Sequence, residues 1–184
     1  MGNDGAPPLE LELVHAFTNT VDIEPGVEEL ERPEQLRDWL MERSLVKPED
    51  PVTARDLREA IDLRTSLRAI LSAHDGTDLS SQELAAINDA LARYPLTVAF
   101  GPDANPRIAP ADSGVRGALG EVMAGIVIAI SNGTWARLKS CARESCQFVF
   151  YDHSKNRSKR WCSSLQKNLS SAATLSLRGK WVPQ

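Results

Sequence analysis

Ser113-Gly-Val-Arg-Gly-Ala-Leu-Gly-Glu-Val-Met-Ala-Gly-Ile-Val-Ile-Ala-Ile-Ser-Asn-Gly133 carries the longest uncharged apolar run of the chain, Val122 to Ile130, and its reading decides the fold. Val115, Leu119, Val122, Met123, Ile126, Val127 and Ile130 recur at the spacing of one helix, which starts at Asp112 or Ser113 and stops at Asn132-Gly133. Around Ile126 to Ile130 this helix is apolar on most faces, so it is predicted to be the central helix, enclosed by the others. The run falls short of the roughly 18 to 20 residues a membrane span needs. No membrane partner is expected.

Toward the N-terminus, Leu96-Thr-Val-Ala-Phe100 and Arg107-Ile-Ala flank the turn cluster Gly101-Pro-Asp-Ala-Asn-Pro106, which predicts a hairpin. Three helices are predicted before it. Pro33 opens the first, to about Ser44, with Leu36, Trp39 and Leu40 on one face. Thr53 is the N-cap of a second, to about His74, with Leu57, Ile61, Leu67, Ile70 and Leu71 as its buried stripe and Asp75-Gly76 as its stop. Ser80 and Glu83 form a capping box before Leu84, Ile87 and Leu91, and Pro95 stops that third helix. Leu9-Glu-Leu-Glu-Leu-Val-His-Ala-Phe17 alternates apolar and acidic residues and reads as a strand or short ordered start.

The 184 residues suit one sizeable domain and a small module, and 42% hydrophobic with 25% charged residues is ordinary for a soluble globular protein. Met1 to Pro8 lacks the basic start and apolar core of a secretory signal, so a cytoplasmic protein is expected, with thiols reduced or metal-bound. The net charge of −4 conceals two halves: Arg137 to Gln184 holds ten Lys and Arg against Glu144 and Asp152, a net of +8, which leaves −12 elsewhere. A basic end on an acidic body suggests a polyanion partner, and a solvated tail explains charge alone nearly as often.

That basic end contains Cys141-Ala-Arg-Glu-Ser-Cys146 and Phe150-Tyr-Asp-His-Ser-Lys-Asn-Arg-Ser-Lys-Arg-Trp-Cys162. Two thiolates close in sequence and a third beyond a basic connector suit a small zinc knuckle facing a phosphate backbone. Phe148, Phe150 and Tyr151 are apolar enough to pack a strand beneath it, and Trp161 reads as part of its small core. Lys155, Arg157, Lys159 and Arg160 are the candidate DNA phosphate contacts; Cys141, Cys146 and Cys162 are the candidate metal ligands. The predicted architecture is α+β and predominantly helical: a helical domain over 1–133 with one β-hairpin, then a cysteine module over 134–184.

Trp135-Ala-Arg-Leu-Lys-Ser-Cys141, Cys146 and the Phe150 to Cys162 stretch resemble the CGNR zinc finger. Phe17-Thr-Asn-Thr-Val-Asp22, the Pro33 to Leu40 helix and Leu57-Arg-Glu-Ala resemble the ABATE domain that precedes it in bacterial stress-induced transcriptional regulators. The resemblance implies zinc as cofactor, DNA as partner, and a sensing or interaction domain that takes a small-molecule effector, with a homodimer as a candidate assembly. It makes Asn19, Thr20 and Asp22 candidates to line a ligand pocket, beside the plainer role of turn formation and capping. The family's second cysteine pair is Cys-x4-Cys followed by Gly-Asn-Arg. Here Lys167 stands at the fourth position and Asn168-Leu-Ser170 follows. A protonated ammonium has no lone pair for zinc, so zinc is expected to be weak or absent. His153 is the obvious rescue ligand, although its place in the connector argues for an exposed side chain.

Two other classes of function remain open: a helical ligand-binding or protein-interaction protein with a defunct finger, and a thiol redox sensor using a Cys141–Cys146 disulfide. His15 and His74 have no catalytic partner motif, and His74 is expected to face the C-terminal dipole of its own helix. Glu28, Glu29, Glu31 and Glu34 read as a solvated face. Arg55, Arg58, Arg64 and Arg68, interleaved with Glu59 and Asp62, read as surface ion pairs. No phosphate loop, nucleophile elbow or zinc-protease helix occurs, so no catalytic residue is assigned and an enzyme is not expected.

Overall fold

The computed structural model describes residues 6–163, apart from Asp75 and Thr77. Among the described residues there are five helices, α1 (Leu9–Thr18), α2 (Pro33–Glu42), α3 (Ala54–Ala73), α4 (Ser81–Leu91) and α5 (Gly114–Ser131), and three two-stranded antiparallel sheets. The sheets are β1 (Val21–Asp22) with β2 (Val27–Glu28), β3 (Leu96–Phe100) with β4 (Pro106–Pro110), and β5 (Leu138–Ser140) with β6 (Val149–Tyr151). A 3-10 turn, Trp135–Arg137, joins α5 to β5.

Local chemistry sets most helix ends. Pro33 sits in the first turn of α2, and Leu36, Trp39 and Leu40 form its buried face. At α3 the Thr53 hydroxyl accepts the Asp56 N–H while the Asp56 carboxylate accepts the Thr53 N–H at 2.8 Å. Ser80 and Glu83 repeat that reciprocal cap at α4. Only Ile87 and Ala90 of α4 are buried, and Leu84 is 44% exposed.

Residues 9–17, expected to be a strand or a short ordered start, form the helix α1. Its apolar–acidic alternation has period two only over the first residues, whereas Leu11, Val14, Phe17 and Thr18 bury one helical face. Glu10 and Glu12 lie in the first turn, where carboxylates favour the helix dipole. Glu10 also accepts hydrogen bonds from Asn132 Nδ2 and Thr134 Oγ1, at 3.1 and 3.0 Å, beyond the end of α5.

Helix α5 takes the central position. It packs against α1 on one side and the β3–β4 hairpin on another, and only Ile128 and Ile130 among its large apolar side chains are well exposed. Two glycines permit the close approach. A Cβ at Gly125 would collide with the Glu10 carbonyl of α1, and one at Gly120 would press on the Pro110 ring. Length and hydropathy alone would let α5 cross a membrane, but more than half of it is buried in the fold, as a core helix must be.

The core runs on past α5. Leu11, Val14 and Phe17 of α1, Leu36 and Leu40 of α2, Leu63, Leu67 and Leu71 of α3 and Leu119, Val122 and Ile126 of α5 form one cluster with Leu138, Val149 and Tyr151 of β5 and β6. The terminal hairpin is therefore seated in the body. Its other face, with Cys141, Cys146, Phe148 and Phe150, makes a second small cluster.

Candidate metal centre and its cationic loop

Strand β5 delivers Cys141, and the Cys141 N–H bonds to the Phe148 carbonyl at 2.9 Å, extending the β5–β6 pairing by one step. Between them the chain folds into a tight turn closed by the Cys146 and Gln147 N–H groups on the Arg143 carbonyl. Gln147 has φ +48, a left-handed conformation that returns the chain into β6. Phe148 and Phe150 are buried beneath the turn, as expected for a strand packed under a knuckle.

Cys162 arrives by a longer route. The Asp152 carboxylate, wholly buried, accepts the backbone N–H groups of Ser154 and Lys159 and lies 3.2 Å from the ammonium of Lys139, itself 4% exposed. Lys139 also donates to the carbonyls of Arg157 and Lys159, at 2.7 and 3.2 Å. Arg137 holds the carbonyls of Asp152 and Ser154. The Ala142 N–H bonds to the Arg160 carbonyl, bringing the following residues back over the turn. This network is what folds a basic connector into a defined loop. Burial by itself would raise the Asp152 carboxyl; the hydrogen bonds from Ser154, Lys159 and Lys139 outweigh it and hold the group lowered.

The sulfurs of Cys141, Cys146 and Cys162 all lie within 4.8 Å of one another, and the Cys146 and Cys162 sulfurs are 3.6 Å apart. Zinc–sulfur bonds of about 2.3 Å put the sulfurs of a tetrahedral site about 3.8 Å apart, so the three thiols already approximate one face of such a site. Two of them are buried. Burial would raise the Cys141 thiol, but the N–H groups of Arg143 and Cys162 and the neighbouring thiols leave it lowered; burial and those same neighbours push Cys162 up. Ionisation of Cys141 is thus favoured over that of Cys162. A cation would relieve the repulsion opposing further ionisation.

His153 is placed elsewhere. It is exposed, its ring packs edge-on against Tyr151 at 4.8 Å, and it is not among the metal-capable side chains gathered at the thiols. Lys167 lies outside the described residues. Among the described residues the cluster therefore offers three ligand atoms.

Of the expected phosphate contacts, Lys155, Arg157 and Arg160 are exposed on the connector, while Lys159 is half-buried with its ammonium 5.9 Å from the Phe150 ring. Trp161 is 55% exposed, not the module's core, because Phe148 and Phe150 already fill the space under the thiols. Arg137 and Lys139, two charges of the basic half, spend their donors inside the fold.

Asn19 and Thr20 serve the packing of the body. The Asn19 amide donates to the Val149 carbonyl and accepts the Val149 N–H, both at 2.9 Å, and Thr20 accepts from Arg64 while donating to the Phe17 carbonyl. Asp22 is half-buried near Arg68. Arg64 and Arg68, expected at the surface, turn inward. Arg64 pairs with both oxygens of Glu28, which is thus a structural ion-pair partner and not part of a solvated face. His74 bonds the Leu138 carbonyl at 2.8 Å and packs on Trp135, so its partner is the start of the β5–β6 hairpin and not its own helix end. His15 is buried, edge-on to Phe148 and hydrogen-bonded to the Val149 backbone. Arg55 pairs with Glu59, which is itself buried, and Asp62 pairs with Arg93, beyond α4.

The fold and site define a helical body with a thiol-bearing finger set into one end. Residues 11–133 match the ABATE family, described as "Putative stress-induced transcription regulator", and residues 137–166 match the CGNR zinc finger. The chain belongs to the ABATE family. No curated protein matches it.

Proposed function

We propose that this protein is a cytoplasmic DNA-binding regulator whose finger holds zinc through Cys141, Cys146 and Cys162 and meets duplex phosphates with Lys155, Arg157, Lys159 and Arg160. One observation carries the reading: the cations sit on a loop rooted in the buried Lys139–Asp152 pair, directly beside the three-thiol cluster. Held cations lose less freedom on meeting phosphates than cations on a random tail. Zinc would neutralise thiolate charge that otherwise repels DNA. A small-molecule effector has a candidate place in the open cleft of about 1020 Å³ between the α2–α3 loop, β4 and the start of α5.

The test is a salt titration of zinc-loaded full-length protein on random-sequence duplex. Each lost phosphate contact lowers the salt slope by about 0.9, so Arg157→Glu with Arg160→Glu should lower it by nearly 2. Arg93→Glu, on the body, should change it little. Equal slopes for the parent and the doubly reversed chain, or no binding at low salt, would reject the DNA reading.

A second reading rests on the 3.6 Å separation of the Cys146 and Cys162 sulfurs. These two are close enough for a reversible disulfide, beside the Cys141–Cys146 pairing, with peroxide taking two electrons and two protons to give two waters. Alkylation mapping after mild peroxide separates the readings: zinc-loaded thiols resist it, and a sensor loses two free thiols that dithiothreitol restores.

A further inference from the structure

The metal-binding turn is held by side chains of the helical body. Arg68, in the last third of α3, donates at 2.8 Å to the Thr18 carbonyl at the end of α1 and at 2.8 Å to the Gln147 carbonyl. Gln147 is the left-handed residue directly after Cys146, and the Ser140 hydroxyl donates to the same carbonyl at 3.2 Å. Two residues further on, the Asn19 amide takes both backbone groups of Val149. A non-glycine residue in the left-handed region is strained and persists where its surroundings hold it. Here the holding groups come from α1 and α3, more than 70 residues away in sequence.

We infer that Arg68 and Asn19 are positioning residues for the metal centre: they fix the Gln147 and Val149 backbone so that the Cys146 sulfur faces Cys141, and so couple metal occupancy to the packing of α1 and α3. The inference rests on the metal reading of the thiol cluster. With three described ligands, the site depends more on having those three already in place, since disorder in any one must be removed on binding. Coupling is reciprocal: if the body orders the turn for the metal, the metal must order the body to the same degree.

The experiment measures metal affinity of the full chain, using cobalt(II), whose thiolate charge-transfer bands report coordination, and zinc competition against a chromophoric chelator. Arg68→Gln and Asn19→Asp should each weaken affinity about 10- to 100-fold, the range for groups that orient metal ligands, and Arg68→Lys, which keeps a donor, should recover much of the loss. Arg64→Lys disturbs the body without touching the turn and should leave affinity within about twofold. Hydrogen exchange on the parent chain supplies a measurement that needs no variant: zinc should slow exchange near Thr18 and Arg68 as well as in the finger. Parent binding with unchanged variant affinities, an equal loss in Arg64→Lys, or zinc protection confined to residues 138–163 would overturn the inference and leave the metal site standing. No metal binding by the parent would overturn both.

Discussion

Arg64 and Arg68 lie four residues apart on α3, amid Arg55, Arg58, Glu59 and Asp62, and nothing in that charge pattern says which arginines face inward. Arg64 is 4% exposed and meets Glu28 in a two-pronged pair, with the Thr20 hydroxyl as a further acceptor. Removing the carboxylate leaves a buried guanidinium short of its charged partner. Because the Glu28 side chain is 29% exposed and water can partly replace it, Glu28→Gln is expected to cost about 2 kcal/mol, less than breaking a fully buried pair. Glu31→Gln, on an exposed side chain, should stay within about 0.5 kcal/mol. Urea unfolding of both variants checks the contrast.

His15 gives the pH dependence its sign. Burial lowers it from 6.5 to about 4, with a hydrogen bond to the Val149 backbone acting the other way. Above 6.5 the ring is neutral in both folded and unfolded chains. As pH falls from there toward about 4, only the unfolded chain takes up the proton, so stability is lost across that window. At 1.36 kcal/mol per pH unit the loss is at most about 3 kcal/mol. His15→Leu should flatten the fall in urea midpoint between pH 7 and pH 5. A parent midpoint that does not move over that range would show that the ring is not buried neutral.

At the scale of elements, the helix starts at Pro33, Thr53 and Ser80 were legible because capping is local chemistry: the side chain and the N–H it satisfies are about three residues apart. The hairpin of β3 and β4 was legible from its turn residues for the same reason. Helix α1 was not legible as a helix because Leu9 to Leu13 fits period two as well as it fits an amphipathic helix, and the choice falls to the surface it meets. That surface is α5 at Gly125. Gly125→Ala adds about 1 kcal/mol of helix propensity but drives a methyl group into the Glu10 carbonyl, so a net loss of about 1 to 2 kcal/mol is expected by thermal or urea unfolding. A gain in stability would mean that α1 and α5 can separate at little cost.

Across the whole molecule, the finger is seated in the body. Leu138, Val149 and Tyr151 complete the main core, and Asn19, Arg68 and His74 fill their hydrogen bonds with the finger's backbone. A fragment ending at Gly133 would expose that apolar surface and leave the polar groups to water. It should melt well below the full chain or lose its cooperative transition, as followed by circular dichroism. An unchanged midpoint would show that the body is complete without the finger.

The sequence by itself determined the helical class, the central helix, the capped starts and the three cysteines, because each depends on residue type at short spacing. Only the tertiary structure decided that residues 9–17 are helical and that Arg64, Arg68 and Glu28 turn inward. It alone seated the finger in the core, placed His153 away from the thiols and bound the basic connector to Lys139 and Asp152. These rest on partners between 13 and 130 residues apart. Lys139 signalled a need for a counter-charge only once its three-residue strand was known to be buried throughout. Burial and pairing of a charge are settled by which surfaces meet, and short-range spacing carries no record of that.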